Sequence, residues 1–255
     1  MLLELKHSCI YGPVNSRRLG PSLGLNILPG GKKTCSFDCV YCQYGWSDYS
    51  WMENPASVSW PSPETLGREL RAALDSRPEP PDYITFSGNG EPTAHPAFPE
   101  MVDLVTGIRD EAAPRSKTAV LSNSAHVGSE EVRLALSRLD HRIMKLDCGD
   151  EGTFTRFNRP AKGLTLDEIE EGLHSLENIT IQSLFAGGNS GNLNQGNLDA
   201  WKDRIKKIGP KNVQIYSLDR GVPDSSLMKA ALGSLELIRK MLEEIRITGH
   251  VFSRG

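Results

Sequence analysis

Residues 35–42 read CSFDCVYC, which places Cys35, Cys39 and Cys42 together with gaps of three and two residues. The chain has 255 residues and five cysteines, so most of its thiols sit in this one short stretch. A structural zinc site takes four closed ligands, usually as two pairs. Here there is no second CxxC pair, so Cys9 or a distant histidine would have to complete such a site. A [4Fe–4S] cluster also takes four cysteines as a rule. Three cysteines leave one iron without a protein ligand, and an open metal position marks chemistry rather than scaffolding.

The bulk composition sets the background. Hydrophobic residues make up 38% and charged residues 24%, ordinary values for a soluble globular chain. The net charge is −3, which argues against a protein that lives on bulk nucleic-acid electrostatics. The N-terminal MLLELKHSCIYG lacks the sustained apolar run of a signal peptide. No stretch approaches the roughly 18 apolar residues of a membrane span. A cytoplasmic location is therefore expected, where thiols stay reduced. The odd cysteine count also disfavours a disulfide framework.

Outward from the cysteines, short β-rich runs alternate with helical ones. The strand candidates are 24–28, 83–87, 118–123, 142–147, 179–185 and 213–218, with a short seventh near 247–252. Helical periodicity covers 61–77, 98–112, 128–139, 164–177, 197–209 and 225–245. Thr165 with Glu168 reads as a capping box. This is roughly (βα)6, an α/β chain forming a partial barrel of parallel strands with helices outside. We read 1–255 as a single domain, with 1–60 a mostly loop-like segment carrying the cysteines and 61–255 the remaining βα units. The aperiodic segment 45–64 holds Trp46, Trp51 and Trp60. It is either a loop packed by its own aromatics or a lid beside the cysteines.

In parallel α/β folds the reactive loops lie at the C-terminal ends of the strands. The cysteines follow the first strand, and SGNGEPT (87–93), SNSA (122–125), KLDCGD (145–150), GGNSGN (187–192) and SLDRG (217–221) close the others. All would gather around one mouth. In SGNGE the glycines admit close backbone approach, and Glu91 can accept from an ammonium group. A plain tight turn is the competing reading.

CxxxCxxC after the first strand of such a chain resembles the radical S-adenosylmethionine (SAM) superfamily. The resemblance extends over 11–45, 158–173 and 213–221, where it is similar to the small iron–sulfur oxidoreductases grouped with the wyosine-base-forming tRNA enzymes. It implies one [4Fe–4S] cluster on Cys35, Cys39 and Cys42, with SAM chelated at the open iron. Gly88, Asn89, Gly90 and Glu91 stand at the strand end that contacts the SAM amino group, although Asn89 departs from the commoner adjacent glycines. Tyr41 matches an aromatic near the adenine. Ser122, Asn123, Lys145 and Asp147, with Gln182 and Tyr216, would hold the rest of SAM, and buried structural pairing is the alternative for each. An electron donor such as a flavodoxin or ferredoxin is also implied. The leading substrate class is a tRNA nucleoside, with a small metabolite or peptide as runner-up. A non-catalytic iron–sulfur or zinc protein is the alternative of another class.

Arg17 and Arg18, before the first strand, could bind a phosphate or carboxylate of the substrate, or form an ion-paired turn. Arg156 and Arg159 fall after the fourth strand and are further substrate candidates. Cys9 and Cys148 read as plain buried cysteines. The basic stretch 202–211 reads as a solvated helix or, alternatively, an RNA contact.

Overall fold

The computed structural model describes residues 2–47, 49–54 and 57–253. One sheet dominates it. Strands β1 (Ile10–Ser16) and β2 (Gly20–Leu25) form an antiparallel hairpin. Parallel to β2, and in order across the sheet, follow β3 (Tyr83–Phe86), β4 (Lys117–Ser122), β5 (His141–Lys145), β6 (Thr180–Leu184), β8 (Asn212–Tyr216) and β10 (Gly249–Phe252). The interposed helices are α2 (Pro63–Asp75), α3 (Phe98–Ala112), α4 (Glu130–Ser137), α5 (Glu151–Phe157), α6 (Leu166–His174), α7 (Gln195–Ile208) and α8 (Leu232–Glu244). Each longer helix turns an apolar stripe to the sheet, such as Leu66, Leu70 and Leu74 of α2 or Trp201, Ile205 and Ile208 of α7. The capping box at Thr165–Glu168 is present and starts α6.

The sheet curls. Arg18, in the turn between β1 and β2, lies 4.4 Å from the Tyr216 ring of β8 and 5.3 Å from the Phe252 ring of β10. Arg17 beside it pairs with Asp219, just past β8. The first and last parts of the sheet therefore meet through this turn, as a partial barrel requires.

Several elements differ from the sequence reading. The first parallel strand begins at Gly20 and ends at Leu25, not at 24–28. Asn26 leaves the ladder because its side chain donates to the Leu28 carbonyl at 3.1 Å and accepts from the Asn89 N–H at 3.1 Å. Strand β1 lies in what read as loop; its residues 12–15 face solvent and carry no apolar alternation. Helix α5 is too short for periodicity, yet the Asp150 side chain caps it by accepting from Thr153 N–H at 2.8 Å. Helix α8 starts at Leu232 rather than 225, because β9 (Met228–Lys229) pairs with β7 (Ala186–Gly187). In the 45–64 segment, α1 (Ser50–Glu53) forms, and the Trp51 and Trp60 rings meet edge to face at 6.0 Å. Residues 48, 55 and 56 of that segment lie outside the described residues.

Candidate active site

Because seven strands run parallel, their C-terminal ends share one rim, and the cysteine loop lies across it. The loop is strapped on both sides. Thr34 N–H donates to the Asn89 carbonyl at 2.8 Å, and Glu91 N–H donates to the Thr34 carbonyl at 2.9 Å. On the other flank, Asp38 N–H reaches the Asn158 carbonyl at 3.0 Å, Val40 N–H the Phe157 carbonyl at 3.0 Å, and Ala161 N–H the Ser36 carbonyl at 2.8 Å. The cysteine backbone is thus fixed between the SGNGE turn and the end of α5.

Gly90 is required by this strapping. Its φ is +147°, and a Cβ there would sit 1.8 Å from the Thr34 carbonyl oxygen. Gly88, with φ +123°, would drive a Cβ to 2.6 Å from Asn26 Oδ1. Asn89 between them faces away from the mouth. Its side chain donates to the Lys6 and Pro29 carbonyls at 2.7 and 3.1 Å and accepts from Lys6 N–H at 2.7 Å. It pins the N-terminal segment, so this side chain has a structural part within the strand end that the sequence assigns to SAM.

The three thiols share a polar surround. The Asn123 amide donates to Cys35 Sγ at 3.4 Å, and the Asn158 amide donates to Cys39 Sγ at 3.3 Å. Lys33 is 5% exposed, with its ammonium on the Gly45 carbonyl at 2.6 Å and 3.6 Å from Asp38. Burial works against that ammonium, but Cys42, Cys35, Cys39 and Asp38 together hold its pKa above the usual value. Burial pushes the Cys39 thiol up to about 11 and the Cys35 thiol higher still, with Lys33 opposing both. Metal ligation needs thiolates, and a buried cation with two amide donors supplies the stabilisation that a ligated, negatively charged sulfur requires. Among the described residues no three His, Cys, Asp or Glu side chains gather closely enough for one metal ion; a multi-iron cluster spreads its cysteine ligands over several metal atoms. The donor set fits a [4Fe–4S] cluster.

Glu91, 1% exposed, ties the ends of β3 and β4 together. Its Oε1 accepts from Ser122 Oγ at 2.9 Å, Thr93 N–H at 3.0 Å and Thr93 Oγ1 at 2.6 Å, while Oε2 accepts from Asn123 N–H. Oε2 retains room for one more donor, which suits an ammonium group. His126 lies near this carboxylate, with its Nε2 buried and unpartnered.

At the ends of β5 and β8 the polar residues form one network. Asp147 accepts from Lys145 at 3.1 Å, Leu184 N–H at 2.8 Å, the Asn158 amide at 2.9 Å and the Tyr41 hydroxyl. Lys145 also donates to Tyr216 Oη at 2.8 Å. Gln182 donates to Gln214 at 3.0 Å. Tyr41 is therefore seated on Asp147, and the alternative of a Lys145–Asp147 pair is realised. Arg156 bonds Thr153 Oγ1 at 3.2 Å and the Gly191 carbonyl at 3.4 Å, and Arg159 stacks 4.6 Å over Trp46. Lys33, Asn158 and His126 were not singled out from sequence. The run of residues from 158 was part of the resemblance, yet nothing in sequence spacing marks Asn158 as the side chain bridging Cys39, Tyr41 and Asp147.

Arg17 and Arg18 are brought to a cavity of about 310 Å³ between the β1–β2 hairpin, the concave sheet face and the loop after β8. Gln43, next to Cys42, also lines it. The cavity thus abuts the cysteine loop.

Comparison with known proteins agrees with this geometry. No family model matches the chain. A protein of Brachyspira hyodysenteriae described as GTPase Obg is 28% identical over 248 residues, covering 94% of this chain and 34% of that protein. A UPF0026 protein of Methanocaldococcus jannaschii is 37% identical over 164 residues, covering 64% and 48%. The chain thus spans about a third and about half of these two relatives. A UPF0026 protein of Helicobacter pylori is 31% identical over 236 residues, covering 90% of this chain and 71% of its own length. Among solved structures, a radical SAM methyltransferase from Sphaerobacter thermophilus superposes with TM-score 0.65 at 12% identity, over 92% of this chain and 67% of its own. TYW1 with a lysine-pyruvate adduct superposes with TM-score 0.63 at 15% identity, over 88% and 73%. No helix among the described residues is long and apolar enough to cross a membrane. The chain belongs to the UPF0026 family and is built on the fold of the radical SAM enzymes.

Proposed function

We propose that this protein is a radical SAM enzyme with a single [4Fe–4S] cluster on Cys35, Cys39 and Cys42. The observation that carries the reading is the three-thiol loop strapped against Gly90–Glu91, with the Asn123 and Asn158 amides donating to Cys35 and Cys39 and the buried Lys33 cation nearby. When bound and given one electron by a flavodoxin- or ferredoxin-like donor, the cluster supplies reductive cleavage of the SAM sulfonium to methionine and a 5′-deoxyadenosyl radical, which takes a hydrogen atom from the substrate. The chain's own residues prepare the place. Glu91 Oε2 would accept from the SAM amino group, and Ser122 and Asn123 hold that carboxylate in position. Lys145 and Asp147 keep Tyr41 fixed beside the third cysteine.

A tRNA nucleoside as substrate rests on resemblance alone. A cavity of about 310 Å³ favours a small metabolite, since this is the low end of the usual range for small-molecule pockets.

Electron paramagnetic resonance of anaerobically reconstituted, dithionite-reduced protein tests the reading. We expect a reduced-cluster spectrum that changes shape when SAM is added. A spectrum indifferent to saturating SAM would show a closed cluster and defeat the proposal.

A further inference from the structure

The cavity beside the cysteine loop holds polar groups that the protein itself leaves without partners. Arg18 is half-buried, and its Nε is fully shielded with no hydrogen-bond partner. The guanidinium faces are covered by the Tyr216 and Phe252 rings at 4.4 and 5.3 Å. Stacking of this kind satisfies the faces of the cation and leaves its N–H edge free. Among the described residues no carboxylate pairs with Arg18. The nearby acid, Asp219, is engaged by Arg17. The other basic group on the wall, Arg220, is exposed and reaches the Gln43 side chain at 3.5 Å. Across the cavity Thr85, 4% exposed, keeps its Oγ1 buried and unpartnered.

A buried guanidinium edge without an acid is costly unless something answers it. Buried hydroxyls are likewise nearly always bonded. Both orphans line the same cavity, and Gln43 connects that cavity to Cys42. We propose that this cavity binds a small molecule bearing a carboxylate or phosphate, with Arg18 donating to the oxyanion and Thr85 bonding a polar group elsewhere on the molecule. Its role as substrate rests on the radical reading above; its binding does not. The planar fork of arginine matches either oxyanion. The cavity, about 310 Å³, is the size of a small molecule rather than of a polymer segment. That favours a free metabolite over a nucleotide within an RNA.

The test is calorimetric titration at low ionic strength with inorganic phosphate and with succinate as probes. It uses wild type, Arg18→Gln, Arg18→Lys and Arg17→Gln, each checked for an unchanged melting profile. We expect wild type to bind at least one anion in one-to-one ratio. Arg18→Gln should weaken it by about tenfold or more, the loss of a charge-assisted bond. Arg18→Lys should retain part of the affinity, as a charge without the fork, and Arg17→Gln should retain most of it. If wild type binds neither probe at millimolar concentration, or if Arg18→Gln binds it unchanged, the proposal is overturned. Loss of SAM uptake by reconstituted Arg18→Gln, with anion binding intact, also overturns it and assigns the arginine to the SAM carboxylate. Salt-sensitive tRNA binding that depends on Arg18, without binding of either free anion, overturns it in favour of RNA. Wild-type protein that binds the anion but yields no 5′-deoxyadenosine keeps the pocket and sinks the radical reading. Cleavage of SAM without anion binding sinks the pocket alone.

Discussion

The two sides of the mouth are built on opposite terms. On the cysteine side, Glu91, Asp147, Asn123, Asn158 and Lys33 give most of their polar atoms to one another and to the loop backbone. On the hairpin side, Arg18 and Thr85 line a cavity, and their shielded Nε and Oγ1 bond nothing. A densely bonded network holds geometry before any ligand arrives, whereas unanswered groups wait for one. On these terms the first side positions the cysteines and the proposed Glu91 contact to SAM, and the second recognises the anion. Substitutions on the cysteine side should therefore cost structure and cofactor together, while those on the hairpin side should cost little structure.

The largest break is at the ligands themselves. Cys39→Ala should remove bound iron and the brown colour of anaerobic protein entirely, as read by iron assay and visible absorption. Next comes Gly90→Ala. A methyl pressed to 1.8 Å of the Thr34 carbonyl, at a φ that alanine avoids, forces the strap apart. We expect a loss of about 3 kcal/mol in urea unfolding and reduced iron uptake. A smaller loss with full iron would show that the strap is dispensable. Lys145→Met leaves Asp147 buried without its cation and should also cost about 3 kcal/mol. By contrast, Arg17→Gln on the hairpin side removes a partly exposed pair and should cost no more than about 1 kcal/mol.

The smallest expected effect is one of pH. His126, His95 and His141 each have a pKa held below the ordinary histidine value, first by burial. Their neutral forms are favoured in the fold, so the stability they contribute is present above the unfolded value. It is lost as pH falls from there through the folded values. Metal-free protein should unfold at lower urea as pH drops from about 7.5 to about 5.5, across the unfolded histidine value of about 6.5. His126→Gln should flatten that dependence, and an unaltered slope would acquit this histidine.

Much of the fold was legible. The parallel strands are β-branched, apolar and bounded by turn residues, and all of the expected strands and helices correspond to elements found. Strand β1 was not legible, because an edge strand whose middle residues 12–15 face solvent carries no alternating pattern. Helix α5 was hidden by its brevity, and the start of α8 by the β7–β9 pairing, a tertiary contact that overrides local helical preference. At the site, the cysteines and the residues at the strand ends converge as their order along the chain suggested. The bonds of the Asn89 side chain to the Lys6 and Pro29 carbonyls had no signal in the sequence, because both partners are far away along the chain. Lys33 and Asn158 act on the sulfurs through space, and neither sequence spacing nor residue type announces that.

The most direct test of the central claim is formation of 5′-deoxyadenosine, measured by mass-resolved chromatography after anaerobic incubation with dithionite and SAM. Wild type should release 5′-deoxyadenosine and methionine in equal amounts, and Cys39→Ala none. Equal yields from both, or a wild-type protein that loads only zinc and never cleaves SAM, would contradict the account.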